Sequence, residues 1–276
     1  MKNTVTLKEF EKHTGSHPGT MLMPVLFVGH GSPMNAIEEN EFTGGWRKIG
    51  DSIAKPRAIL CISAHWETKG THITAMQQPR TIHDFCGFPD QLYTLQYPAT
   101  GSLQVANEIK EHLSPAEIEM DQNWGFDHGC WSVLRHMFPE ATIPVMQLSL
   151  DYTLSPQAHY DLAKNLSGLR RKGILVIASG NMVHNLRMVN WHKPAGWHDW
   201  AEEANEKIKK LILAREHKTL TGYASPNQEM ALAIPTAEHY IPLLYTLALQ
   251  EKNESVTIFN DKVVYGSVSM TSIKIN

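Results

Sequence analysis

The stretch whose reading decides the fold is Pro24-Val25-Leu26-Phe27-Val28-Gly29-His30-Gly31-Ser32-Pro33-Met34-Asn35. Its apolar run, Val25 to Val28, reads as a buried strand that stops at a histidine flanked by two glycines. With no side chains on either side, backbone or a ligand can approach His30 closely. The design recurs twice. Ile59 to Ser63 runs into Ala64-His65-Trp66, and Ile174 to Ala178 runs into Ser179-Gly180-Asn181-Met182-Val183-His184. Ligands of open α/β sheets gather beyond the carboxyl ends of the strands. Three histidines at or just past three strand ends can therefore meet at one point, which is a metal site in outline.

Working outward, Phe42 to Ile53 reads as a helix that Lys55-Pro56 ends, and Thr71 to Met76 alternates as a further strand with His72 at its edge. The segment Pro79 to Pro89 holds Asp84, Phe85 and Phe88. It is either one wall of a small-molecule pocket or a surface loop held by its two phenylalanines. Leu103 to Leu113 has helical spacing. Trp124 to Trp131 then leads into a helix over Ser132 to Met137, which leaves His128 in a loop, structural or functional, and His136 as a helix-end cation. Ile143 to Leu150 is the next strand. Ser155 caps a helix with Pro156 at its first position, and the helix runs to Lys172-Gly173 with His159 exposed. Arg170-Arg171-Lys172 suits its last turn. Further on, Glu202 to Leu213 is amphipathic, and Thr236 caps a largely buried helix whose first turn holds His239. Strands at Val256 to Phe259 and Val268 to Ile273 finish the chain. Alternating strands and helices predict a single α/β domain over residues 24–276. Its central sheet is mixed and mostly parallel, flanked by helices, with the site at the C-terminal ends of the strands. Residues 1–23 read as a polar lead-in with a short helix, with His13 and His17 at the surface.

Composition narrows the function. The chain has 276 residues, 42% apolar and 19% charged, enough for a sizeable core. A formal charge of −3 without basic runs gives nucleic acid no footing. The three scattered cysteines, Cys61, Cys86 and Cys130, form no CxxC and fit a reducing cytoplasm. No apolar run is long enough to span a bilayer. The nucleophile elbow, the dinucleotide fingerprint and the P-loop are all missing. Histidine is the unusual count, at fifteen. A neutral imidazole can bind Zn, Fe, Cu or Ni, with geometry selecting among them.

Six segments together carry a resemblance: Gly29-His30-Gly31-Ser32-Pro33-Met34-Asn35, Ser63-Ala64-His65-Trp66, Ile82-His83-Asp84-Phe85 with Gly87-Phe88-Pro89, Trp124-Gly125 with Asp127-His128-Gly129 and Trp131, Ser179-Gly180-Asn181 with His184-Asn185, and Glu238-His239-Tyr240 with Pro242-Leu243-Leu244-Tyr245. In this order and spacing they resemble the DOPA 4,5-dioxygenase-like extradiol ring-cleavage enzymes, of the superfamily of the protocatechuate 4,5-dioxygenase catalytic subunit. The resemblance runs from Pro24 to the C-terminus. Cys86 departs from it, standing where glycine or tyrosine is usual.

What the resemblance implies is an oxidoreductase that opens a catechol such as DOPA with O2, giving a muconic semialdehyde. It implies one divalent metal per chain, Zn2+ as the bound species and Fe2+ for ring cleavage. His30 and His65 match two ligands. His184 and His239 match the remaining positions, one or both bound, in an all-histidine site where the better-known branch uses a glutamate. His128, and His184 if unligated, would move protons, with Asp84, Phe85 and Phe88 on the substrate. Partners are then a catechol and O2, with no nucleic acid or membrane, for a monomer or small homo-oligomer. Two other readings use the same histidines: a zinc hydrolase with a metal-bound hydroxide, and a metal-binding module without catalysis.

Overall fold

In β1 (Val25–Gly29) successive side chains take opposite sides, so Val25 and Phe27 pack into one core layer while Leu26 and Val28 pack into the other. The same split runs through the second strand, with Leu60 and Ile62 on the first side and Ile59 and Cys61 on the second. Strands apolar on both faces need cover on both faces, and helices supply it. The computed structural model describes residues 22–223 and 230–276. The sequence expectations for the lead-in, His13 and His17 included, lie outside the described residues apart from its last two positions.

In chain order the strands are β1, β2 (Ala58–Thr68), β3 (Thr71–Thr74), β4 (Arg80–Thr81), β5 (Ile118–Asp121), β6 (Gly125–Phe126), β7 (Val145–Asp151), β8 (Ile174–Gly180), β9 (Val256–Phe259), β10 (Val263–Val264), β11 (Val268–Ser269) and β12 (Ser272–Ile275). The helices are α1 (Glu41–Asp51), α2 (Asp90–Thr94), α3 (Leu103–Leu113), α4 (His128–Met137), α5 (Pro156–Lys164), α6 (Ser167–Arg171), α7 (Asp199–Leu213), α8 (His217–Gly222) and α9 (Ile241–Ala248). Eight strands form the main sheet in the order β5-β3-β7-β2-β8-β1-β12-β9. Its centre, β7-β2-β8-β1, is parallel throughout. At one side β12 and β9 add on antiparallel, and at the other β3 runs antiparallel to β7. The fold is thus the single-domain, mostly parallel α/β architecture expected. Among the described residues no helix is long and apolar enough to cross a membrane.

Several local expectations need correction. The predicted Ser155–Gly173 helix is two, α5 and α6, although Ser155 does cap the first by accepting from the Ala158 amide. His159 is fully buried, not exposed. Its ring lies between the Tyr245 hydroxyl (3.0 Å) and the Asp151 carbonyl (3.1 Å). Burial pushes its pKa down to about 4, so it is a neutral bridge between α5 and α9. Arg170 does stand in a last turn, that of α6, together with Arg171. It is fully buried and pairs with Glu254, while also donating to the carbonyls of Met23 and Leu249. His136 is likewise buried, with Nε2 2.7 Å from the Asn35 carbonyl oxygen and its pKa lowered chiefly by that burial. The last predicted strand breaks after Ser269, because β11 pairs with β10 while β12 joins the main sheet. Finally, α9 starts at Ile241, with Pro242 in its first turn, so His239 precedes it. Thr236 caps no helix: its hydroxyl donates to the Glu238 carboxylate at 2.8 Å.

Candidate metal centre

Three chain segments converge at the carboxyl ends of β1, β2 and β8. His30 follows β1 directly, and its amide donates to the Gly180 carbonyl at the end of β8 (3.2 Å). Gly31 takes φ +61°, and a Cβ there would stand 2.4 Å from Met270 Sδ, so only glycine turns the chain away at this point. It is the C-terminal segment at Met270, not a ligand, that occupies the space the glycine leaves. His65 lies inside β2, which is longer than expected. The pairing of β2 with β7 shifts register between Ile62 and Glu67, and His65 rides on that irregularity. Gly180 allows the third approach: a Cβ there would lie 2.2 Å from the His239 carbonyl oxygen.

The result is a cluster of imidazoles. Ring centroids of His30 lie 4.9 Å from His65 and 5.3 Å from His239, and His65 lies 4.9 Å from His239. One nitrogen from each of these three falls within 4.8 Å of the others. His184 is not in that group. It stacks on His239, with centroids 3.6 Å apart and planes 13° from parallel, and groups instead with Glu238 and His239.

Two rings of the triple are held at Nδ1 by a hydrogen bond. The Ser179 hydroxyl donates to the Gly129 carbonyl (2.6 Å), so it accepts from His30 Nδ1–H at 3.0 Å. Glu238 accepts from His239 Nδ1–H at 3.1 Å. Asp84 Oδ2 lies 3.4 Å from His65 Nδ1. Nε2 is then free to ligate in His30 and His239, and Nε2 of His30 and Nε2 of His65 lie 3.0 Å apart. Ligand nitrogens on a tetrahedral zinc, each ~2.1 Å from the ion, stand roughly 3.4 Å apart. A divalent metal fits this donor set. Burial, then the neighbouring histidines, drives the pKa of His30 and of His65 well below the ordinary value. Burial and His239 bring His184 to about 3, and burial also lowers His239 although Glu238 opposes it. Imidazoles kept neutral in this way are the ligating form.

His128 is not in a loop, as expected from sequence, but is the first residue of α4. The helix starts earlier because Asp127 is its cap, accepting from the Cys130 amide at 3.1 Å. His128 Nδ1 donates to Asp84 Oδ2 (2.9 Å) and its amide donates to Asp84 Oδ1 (2.8 Å). Burial opposes ionisation of Asp84, yet these bonds hold its pKa below the usual carboxylate range. Burial likewise works against Glu238, but the bonds from His239 and Thr236 bring it down to about 2. Asp127 goes the other way: burial, then the charge of Asp84, push it up to about 6.

A cavity of about 310 Å³ opens onto the cluster, lined by all five histidines with Asp84, Phe85 and Phe88, and by Leu186, Trp191 and Tyr265. Asp84, Phe85 and Phe88 of the Pro79–Pro89 loop thus form part of this cavity's lining. Phe85 and Phe88 meet edge to face at 5.4 Å, and Phe85 meets His128 the same way at 5.7 Å. A larger cavity nearby, about 680 Å³, holds none of the histidines. Ser179, Asp127 and Glu238, which orient the site, were not singled out for that work by sequence, though all stand inside the quoted motifs.

The family model for the catalytic LigB subunit of aromatic ring-opening dioxygenase matches residues 12–274. This chain belongs to the LigB ring-opening dioxygenase family. It is 45% identical over 257 residues to the 4,5-DOPA dioxygenase extradiol of Escherichia coli K12, covering 92% of this chain and 94% of that protein. Its identity to the 4,5-DOPA dioxygenase extradiol of Beta vulgaris is 34%, covering 90% and 96%. A crystal structure of an uncharacterized protein from Escherichia coli K12 superposes with a TM-score of 0.81 at 40% identity, covering 92% of this chain and all of that one. This LigB dioxygenase is therefore a metal-dependent extradiol enzyme that opens a small aromatic substrate with O2.

Proposed function

We propose that the substrate is a DOPA-like catechol, that Fe2+ is the working metal and that Zn2+ is the ion the resting site accepts. We further assign His30, His65 and His239 as the ligands, with His184 left unbound. The observation that carries this is the convergence of His30, His65 and His239, each with a nitrogen within 4.8 Å of the others, Nδ1 of His30 and of His239 being bonded to Ser179 and Glu238. Support for the substrate comes from the relatives' names and from the cavity, whose volume is at the small end for ligand pockets and whose walls are aromatic.

Iron(II) held there supplies the redox chemistry of ring opening, which zinc lacks. The chain's own residues do the rest. His128, with Nδ1 tied to Asp84, presents Nε2 to the cavity as an acceptor for a phenolic proton. His184 has no hydrogen-bond partner for its ring among the described residues and lines the same cavity, so it takes or returns the second proton. Phe85 and Phe88 hold the ring flat and exclude water. Both oxygen atoms enter the product, a muconic semialdehyde formed by cleavage beside the two hydroxyl-bearing carbons.

The test is direct. Metal-free protein is loaded anaerobically with Fe2+, given L-DOPA and then air. A yellow ring-opened product with one O2 consumed per ring is expected; neither appearing across several catechols would overturn the reading.

A further inference from the structure

A second, smaller cavity lies on the far side of His184. It measures about 200 Å³ and shares His184 and Leu186 with the histidine cavity. Its polar lining carries both signs of charge. Arg187 and Glu238 both line it. The guanidinium of Arg187 meets no hydrogen-bond or ion-pair partner among the described residues. The bonds that Glu238 accepts from Thr236 and from His239 both fall on Oε1, and its own backbone amide also bonds the carboxylate.

The turn that carries Arg187 is anchored. It is a short 3-10 segment, Leu186–Met188, capped by Asn185, whose Oδ1 accepts from the Arg187 amide at 3.1 Å. Asn185 Nδ2 in turn donates to the Leu232 carbonyl (2.9 Å), and the Ser267 hydroxyl donates to the Asn185 carbonyl (2.7 Å). Glu238 is fixed by its neighbours in the same way. Glu67 adds another carboxylate close enough to Glu238 for the two charges to interact. The result is a guanidinium without a partner among the described residues and a carboxylate lining one small space.

The larger cavity does not offer this. Its one lysine, Lys262, is bound to Glu41 at 2.7 Å, and the remaining charged side chains that line it are acidic: Glu38, Glu202 and Asp261. A carboxylate placed there would find no free cation.

We propose that the cavity behind His184 receives a zwitterionic α-amino-acid head group, with Arg187 taking its carboxylate and Glu238 its ammonium. The inference rests on the catechol reading above and sharpens it: the aromatic ring lies against the histidines while the tail reaches past His184. Arg187 is then a specificity-determining residue, outside the proton-transfer and metal-holding groups. A guanidinium fork binds a carboxylate through two charge-assisted hydrogen bonds, and losing them should cost about tenfold or more.

The experiment compares wild type with Arg187→Gln on three catechols: L-DOPA, dihydrocaffeate, which keeps the carboxylate, and dopamine, which keeps only the ammonium. KM is measured on the Fe2+-loaded enzyme, and binding by anaerobic calorimetry on the Zn2+-loaded protein. Arg187→Gln should raise KM and weaken binding at least about tenfold for L-DOPA and dihydrocaffeate, and leave dopamine within about twofold. Equal loss on all three, or none on any, overturns the proposal. Should wild type open no catechol ring, the ring-cleavage reading fails, and the calorimetric difference between carboxylate-bearing and carboxylate-free catechols still decides this one.

Discussion

A histidine ligates with one nitrogen and needs the other held, so what surrounds each ring matters as much as the ring itself. His30→Ala, His65→Ala and His239→Ala should each abolish metal retention, read as metal per chain after dialysis. His128→Ala should retain the metal and lose about 10²- to 10⁴-fold in kcat, the range for a positioned acid or base. Metal loss from that variant would contradict the role given to His128. Ser179 touches no substrate, yet it fixes the His30 tautomer. Ser179→Ala should weaken metal affinity by about 10- to 100-fold, measured by competition with a chromophoric chelator. At this scale the sequence was legible where a histidine followed a strand. It misled where burial decided: His136 and His159 carry the same letter as a solvated histidine, and only the packed helices around them show otherwise.

Among the elements, α4 does the most for the site, because its cap and its first residue are neighbours in sequence. Asp127 accepts from the Cys130 amide and from Ser63 Oγ (2.7 Å), and it also pairs with the Gln147 side chain. Ser63 Oγ in turn accepts the His65 amide at 3.2 Å. One buried carboxylate therefore ties β2, β7 and α4 together, with His65 on one side and His128 on the other. Asp127→Ala removes a cap worth about 0.5–2 kcal/mol and strands the Gln147 amide, a further ~1–3 kcal/mol, so a loss of about 1.5–5 kcal/mol in urea unfolding is expected. The apolar strands could be read from composition alone, since runs such as Ile174 to Ala178 fit only a doubly covered sheet. Helix starts were harder. Asp127 and Pro242 were the available signals for α4 and α9; Thr236 competed as a cap and lost because its hydroxyl serves Glu238.

Across the whole molecule, the buried Arg170–Glu254 pair joins the chain just before β1 to the segment after α9, through Met23 and Leu249. Removing one partner leaves the other charge buried and alone, so Glu254→Gln should cost about 3–5 kcal/mol of unfolding free energy. His159 adds a pH dependence. Its folded pKa, about 4, lies below the ordinary value of an unfolded histidine, so the unfolded chain binds the proton more readily. Stability from this residue is whole above pH ~6.5 and is lost as pH falls toward 4, about 3 kcal/mol in all. His159→Gln should flatten that part of the unfolding free energy plotted against pH, relative to wild type. Cys86 is exposed beside Phe85, while Cys61 and Cys130 are buried. A maleimide dye would therefore attach to the native enzyme at a single place, next in sequence to a side chain that lines the cavity, without any engineered label.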